Sequence, residues 1–132
     1  MTPELEELFA RQSRVDQVHA TRVAARLIAR GWTDRDLIAA ALLHDVGKID
    51  AKLTLIDRVL WVILNRVVPS AVPIATRLVG PRWAVLARHQ QIGAAMARGA
   101  GAAPIVCALI EGDPESNRRG LASALAWADA TV

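Results

Sequence analysis

The run Ala40-Ala41-Leu42-Leu43-His44-Asp45-Val46-Gly47-Lys48-Ile49-Asp50 constrains this chain more than any other part of it. It ends an almost wholly apolar helical stretch with a histidine and an aspartate side by side. Burying an ionised carboxylate there costs several kcal/mol unless a cation or full hydrogen bonding compensates it. A divalent metal is the simplest compensation, because neutral imidazole and carboxylate are its ordinary ligands.

The rest of the composition says what surrounds that pair. Hydrophobic residues make up 53% of the 132, with one Phe and no Tyr, so the core must come from Ala, Leu, Val and Ile with four Trp. Ala and Leu head the helix-propensity scale, and long Val/Thr/Tyr alternations are absent. The expected fold is an all-α single-domain bundle of five to seven helices covering residues 1–132, a length that can bury a real core.

Helix signals divide the chain. Thr2-Pro3-Glu4 supplies a capping hydroxyl, a first-turn proline and an acid, and the apolar positions Leu5, Leu8, Phe9, Val15, Val18, Val23, Leu27 and Ile28 follow at helical spacing, with a break expected near Ser13. Those neighbours put His19 on a face expected to pack. Gly31 closes this stretch and Thr33-Asp34-Arg35-Asp36 opens the next helix. Further helices are predicted from Leu53 to Val68, from Pro81 to Gly99-Ala100-Gly101, from Pro104 to Gly112 and from Leu121 to Ala130. The polar stretch Gly112–Gly120 reads as a loop, and Asp50 as a turn residue or cap.

Several function classes are disfavoured. The net charge is only +3, and no dense Lys/Arg run marks a nucleic-acid polymer as partner. Cys107 is the single cysteine and stands in an apolar stretch, where it reads as a small buried hydrophobe and excludes a disulfide framework. The acidic start lacks a secretory n-region, which predicts a cytoplasmic protein. The apolar segment Leu53–Val79 is interrupted by Asp57, Arg58, Asn65, Arg66, Pro69 and Pro73, so it is no transmembrane span and reads instead as a buried helix or a homodimer surface.

His19, His44-Asp45 and Asp129 are all set in apolar helical surroundings, and a bundle can bring inward-facing ligands from several helices to one point. Taken in order they resemble the H…HD…D pattern of the HD-domain metal-dependent phosphohydrolase superfamily. Leu42-Leu43-His44-Asp45-Val46-Gly47-Lys48 is similar to that family's LLHDIGK segment. Val18-His19-Ala20-Thr21-Arg22 is similar to its first motif, and Ala126-Trp127-Ala128-Asp129 to its last.

The resemblance implies one divalent cation on His19, His44, Asp45 and Asp129. Two imidazoles and two carboxylates suit Mn²⁺, Fe²⁺, Co²⁺, Ni²⁺ or Zn²⁺ better than Mg²⁺. It implies hydrolysis of a small phosphate ester, such as a nucleotide, by an activated water. Asp45 would orient that water, and Lys48 and His89 would hold the phosphate, with His89 protonating the leaving oxygen. The pair His89 and Gly93 is similar to a further His…Gly segment of the family. The second histidine of its two-metal members is missing, so a second ion is not expected; Asp113 could substitute as an oxygen ligand, but an aspartate before proline more often forms a turn.

Lys48 carries a signal of its own. Arginine occurs 14 times and lysine twice, yet Lys48 and Lys52 both fall just after His44-Asp45. A compact ammonium at Lys48 reads either as a phosphate contact or as a surface lysine at a helix end, and Lys52 reads as surface. Glu111, Asp113, Glu115, Arg118 and Arg119 could frame the mouth of the site or form a solvated loop. Two other readings remain beside hydrolysis: a non-catalytic metal- or nucleotide-binding module acting through partner contacts, and a metal-free polar cluster.

Overall fold

A computed structural model describes residues 1–51, 60, 63, 64, 66–71, 73, 74 and 81–132. Six α-helices and no strand occur among them: α1 (Pro3–Ala10), α2 (Arg14–Ala29), α3 (Arg35–Leu43), α4 (Pro81–Gly99), α5 (Pro104–Glu111) and α6 (Leu121–Ala130). Shorter 3₁₀ segments occupy Val46–Ala51, Pro69–Ala71 and Pro114–Gly120. The all-α bundle expected from the composition is what forms.

Helix boundaries follow local chemistry. The Ser13 hydroxyl accepts from the Asp16 amide and starts α2, which makes the expected break after α1 a real one. The Asp34 carboxylate accepts from the amides of Asp36 and Leu37, both at 3.0 Å, and starts α3. Thr2 stands at the cap of α1, but its side chain makes no capping bond, so proline and the acids of the first turn carry that start. Gly112 ends α5 at φ 75°, a left-handed conformation that a Cβ would strain. The stretch beyond it is less of a loop than expected. The Asp113 carboxylate accepts from the Glu115 amide and caps the segment Pro114–Gly120, which leaves helical geometry at Asn117–Arg119.

Leu27, Leu37, Leu43, Val23, Val46, Val106 and Ile110 are buried at the centre, where α2 packs on α3, α3 on α5, and α6 on α2 and α3. Cys107 is buried among them, as expected. The closest packing joins α4 to the segment Val46–Ala51. Gly47 and Gly93 make it possible: a Cβ on Gly47 would overlap the His89 carbonyl, and one on Gly93 would come within 3.1 Å of the Gly47 nitrogen.

The face of α2 around His19 departs from expectation. Val23 is fully buried, but Val15 and Val18 are 62% and 46% exposed, as is Ile28 at 57%. The buried row is Asp16, Ala20, Val23, Ala24 and Leu27, and His19 stands at its edge rather than inside a packed face. Along an isolated helix both valines fall within reach of the apolar stripe; only the neighbours decide which edge is covered.

Most of the segment Leu53–Val79 lies outside the described residues, and with it the helix expected from Leu53 and the surface proposed for a dimer. Leu60, Ile63, Leu64, Arg66 and Val67 are helical, and Pro69 begins a 3₁₀ turn. No helix among the described residues is long and apolar enough to cross a membrane.

Candidate metal centre

Four chain segments deliver side chains to one point. Helix α2 brings His19, the end of α3 brings His44 and Asp45, the following 3₁₀ segment brings Lys48, and α6 brings Asp129. His44 caps α3, still in right-handed helical geometry, and the 3₁₀ segment begins at Val46. The His44 Nδ1–H donates to the Ala41 carbonyl at 2.7 Å, one turn back. A carbonyl can only accept, so the neutral ring carries its proton on Nδ1 and leaves a lone pair at Nε2. That Nε2 atom is buried and has no hydrogen-bond partner.

The carboxylates close around it. Asp129 Oδ1 lies 2.8 Å from His19 Nε2 and 3.4 Å from His44 Nε2. The second contact is no hydrogen bond, and it attracts by charge only when the His44 ring is protonated. Asp45 Oδ2 is 3.7 Å from the same His44 nitrogen. The other Asp45 oxygen faces the Lys48 ammonium, Nζ at 2.7 Å, and the His89 ring, Nε2 at 3.6 Å. Asp45 is therefore the hub, with one oxygen toward the histidine pair and one toward Lys48 and His89.

The donor set fits a first-row divalent ion. Such ions take nitrogen and oxygen at about 2.0–2.2 Å, which sets adjacent donors about 3 Å apart and opposed donors about 4.2 Å apart. One donor atom each from His19, His44 and Asp45 lies within 4.8 Å of the others, and Asp129 touches both rings. Asp129 lies beside this three-residue group rather than within it. The orphaned Nε2 of His44, backed by a hydrogen bond from its other nitrogen, is the arrangement that metal-ligating histidines adopt.

Charge is strongly coupled in the cluster. Burial pushes the His44 ring toward neutrality, but the neighbouring Asp129 and Asp45 outweigh it and raise its pKa above 6.5. Burial likewise pushes the Asp45 carboxyl up, and His44 and Lys48 more than offset that, holding it below 3.8. The His19 contact at 2.8 Å and the charge of the His44 ring nearby hold Asp129 far below its ordinary value. Both carboxylates are thus ionised at neutral pH and ready to bind a cation.

A cavity of about 480 Å³ opens beside His44 and Asp129. Gln90, Asp113, Asn117 and Ser123 supply its polar groups. Of the residues expected to frame a mouth, only Asp113 reaches this wall; Glu111, Glu115, Arg118 and Arg119 do not line it. Asp113 spends a carboxylate oxygen on its own turn, as a capping aspartate does. Asp50 lies in the 3₁₀ segment rather than in a turn or at a cap, and Lys52 falls outside the described residues.

Among the described residues three buried polar side chains lie outside the sequence-predicted site: Asp16, Gln12 and Ser116, whose hydroxyl donates to the Asp113 carbonyl at 2.5 Å. Asp16 is 4% exposed and accepts from the Ser13 hydroxyl at 2.6 Å. Gln12, also 4% exposed, donates its amide to the Leu42 carbonyl at 2.9 Å and leaves its Oε1 buried without a partner. Asp16 stands one turn before His19 on the inward side of α2, a spacing that the sequence does display. Gln12 sits in the break between helices, where no periodicity points inward.

No family model matches this chain, and neither a curated protein nor a solved structure does.

Proposed function

We propose that this chain is a metal-dependent phosphohydrolase of the HD-domain kind, acting on a small phosphate ester such as a nucleotide. The observation that carries this reading is the buried, unpartnered Nε2 of His44, fixed by its bond to Ala41 and ringed by His19, Asp45 and Asp129. Those four residues would hold one ion of the Mn²⁺, Fe²⁺, Co²⁺, Ni²⁺ or Zn²⁺ type. When bound, such an ion supplies a Lewis acid that makes water nucleophilic and offsets negative charge on a phosphoryl group.

The remaining work falls to the chain itself. Asp45 accepts a hydrogen bond from the attacking water and orients it. Lys48 and His89 converge on the far oxygen of Asp45, and an arriving phosphate competes for the N–H donors of both, which positions it beside the same carboxylate. His89, donating through Nε2, is placed to protonate the leaving oxygen. The adjoining cavity, walled by Gln90, Asn117 and Ser123, accepts the uncharged part of the ester.

A second reading has an observation in its favour. The pairs Lys48–Asp45 at 2.7 Å and His19–Asp129 at 2.8 Å give both carboxylates internal partners, as a metal-free polar cluster would. Phosphate release from a panel of nucleotides and small phosphate esters, with added Mn²⁺ and beside Asp45→Ala, separates the two. Turnover that disappears in the variant supports hydrolysis. Equal background from both proteins on every compound removes it.

A further inference from the structure

Arginines that are scattered in the sequence become a row in the fold. Arg22, Arg26 and Arg30 recur every four residues along α2, so they lie on one exposed strip of the helix. Opposite them stands Trp127 of α6. The Arg30 guanidinium lies 4.3 Å from the Trp127 ring centroid and that of Arg26 5.8 Å. Together they wall an open groove of about 760 Å³, whose lining includes Thr131 and no carboxylate side chain. Among the described residues none of the three arginines pairs with an acid.

This arrangement is poised for phosphate. A guanidinium held against an indole face keeps its in-plane N–H groups free, and its fork matches two phosphate oxygens at once. Stacking also limits the freedom of two long side chains before any ligand arrives, which reduces what binding must order. From Arg22 to Arg30 the strip runs eight residues, about 12 Å along the helix. That length accommodates several phosphates in series, roughly three at the rise of one nucleic-acid strand. Arg22 also borders the neighbouring hollow that contains His19, so the groove runs up to the edge of the histidine cluster.

We propose that the Arg22–Arg26–Arg30 row and Trp127 form a groove that binds the phosphodiester chain of single-stranded nucleic acid. A concave strip of guanidiniums with one aromatic is the pattern of sequence-tolerant strand binding. An acidic peptide would satisfy both the charges and the forks, but it lacks the evenly repeated phosphates and the flat bases that a strand brings to such a groove. Sequence order hides the groove, because no two of these arginines are adjacent and the helix alone aligns them.

Fluorescence anisotropy of a labelled short thymidylate strand, titrated with the full chain in EDTA, tests this apart from any metal or turnover. Binding should weaken steeply between about 50 and 200 mM salt. The exposed double variant R26Q/R30Q should bind at least about tenfold more weakly, with the slope of log K against log salt reduced by about 1.4, or 0.7 per lost phosphate contact. The double variant R11Q/R98Q removes the same net charge elsewhere on the surface and should bind as the parent does. The proposal is overturned if the parent does not bind the strand or if both double variants lose affinity equally. It is equally overturned if an oligoglutamate peptide displaces the strand as well as unlabelled thymidylate does. Melting curves of both variants establish that a loss reflects the groove rather than unfolding.

Discussion

Gly47 lies against the backbone of His89 so closely that a side chain at position 47 would overlap the His89 carbonyl. The contact couples the 3₁₀ segment carrying Lys48 to the helix carrying His89, and so fixes the distance between the two groups that flank Asp45. It needs a residue with no Cβ for reasons of space, since the clashing atoms are backbone and cannot swing away.

Gly47→Ala is therefore expected to force the segment Val46–Ala51 away from α4, at a cost of about 2–3 kcal/mol. Gly93→Ala meets the Gly47 nitrogen at 3.1 Å and side-chain methyl groups at 3.3 and 3.4 Å, which is a milder conflict. Urea unfolding of the two variants should rank Gly47→Ala as the more damaging. A reversed order would mean that the two backbones do not meet in this way.

Metal should stabilise the folded chain by mass action. At a free Mn²⁺ or Zn²⁺ concentration near 100 times the dissociation constant the gain is about 2.7 kcal/mol. For a domain of this size that corresponds to a rise in melting temperature on the order of 10 °C. His44→Ala removes the buried Nε2 donor and should abolish the rise. Calorimetry in EDTA and in excess metal checks both, and an equal response from parent and variant would place any bound ion elsewhere.

The metal-free protein should be most stable at mildly acid pH. The His44 pKa is raised above 6.5, so its contribution is fully present below that value and is lost as pH climbs through the folded pKa. Asp129 is lowered from 3.8, so its contribution is present above that value and is lost as pH falls through the folded pKa. The two windows overlap between about 4 and 6.5. Melting temperature in EDTA should peak there, and metal, which binds the neutral imidazole, should shift the advantage to higher pH. A stability that rises steadily from pH 5 to pH 8 in EDTA would contradict the coupling.

Lys48→Ala should separate binding from fold. It removes the partner of a carboxylate only 6% exposed while Lys48 itself is 20% exposed, so water can reach the vacated place. Phosphate-ester turnover should fall by one to two orders of magnitude, about 1.4–2.8 kcal/mol in the barrier, with most of the loss in KM. By comparison, Asp34→Ala removes the cap of α3 and should lower stability by about 1 kcal/mol without altering KM. Steady-state kinetics on both variants distinguishes a phosphate contact from a general loss of structure.

Much of this molecule was legible in its sequence, and the reason is local. Proline, serine, aspartate and glycine act on the backbone within a turn of themselves, so the starts of α2, α3, α4 and α5 and the stop at Gly112 could be read directly. The Ala- and Leu-rich composition fixed helices as the material. Conspicuous polar residues in apolar helices marked His19, His44, Asp45 and Asp129 as candidates to converge, although only His44 and Asp45 are well covered and Asp129 stays 47% exposed.

Tertiary structure decided what no local rule reaches. It left Val15 and Val18 in solvent while burying Asp16 and Gln12, because exposure depends on which neighbour covers each edge of a helix. The unpartnered state of His44 Nε2 depends on Asp129, 85 positions away in sequence, and on a carbonyl one turn back. Packing also kept Arg118 and Arg119 off the cavity wall and set Trp127 against the arginine row of α2. Distances between helices come from the shapes of the side chains between them, and those shapes interlock only once the chain has folded.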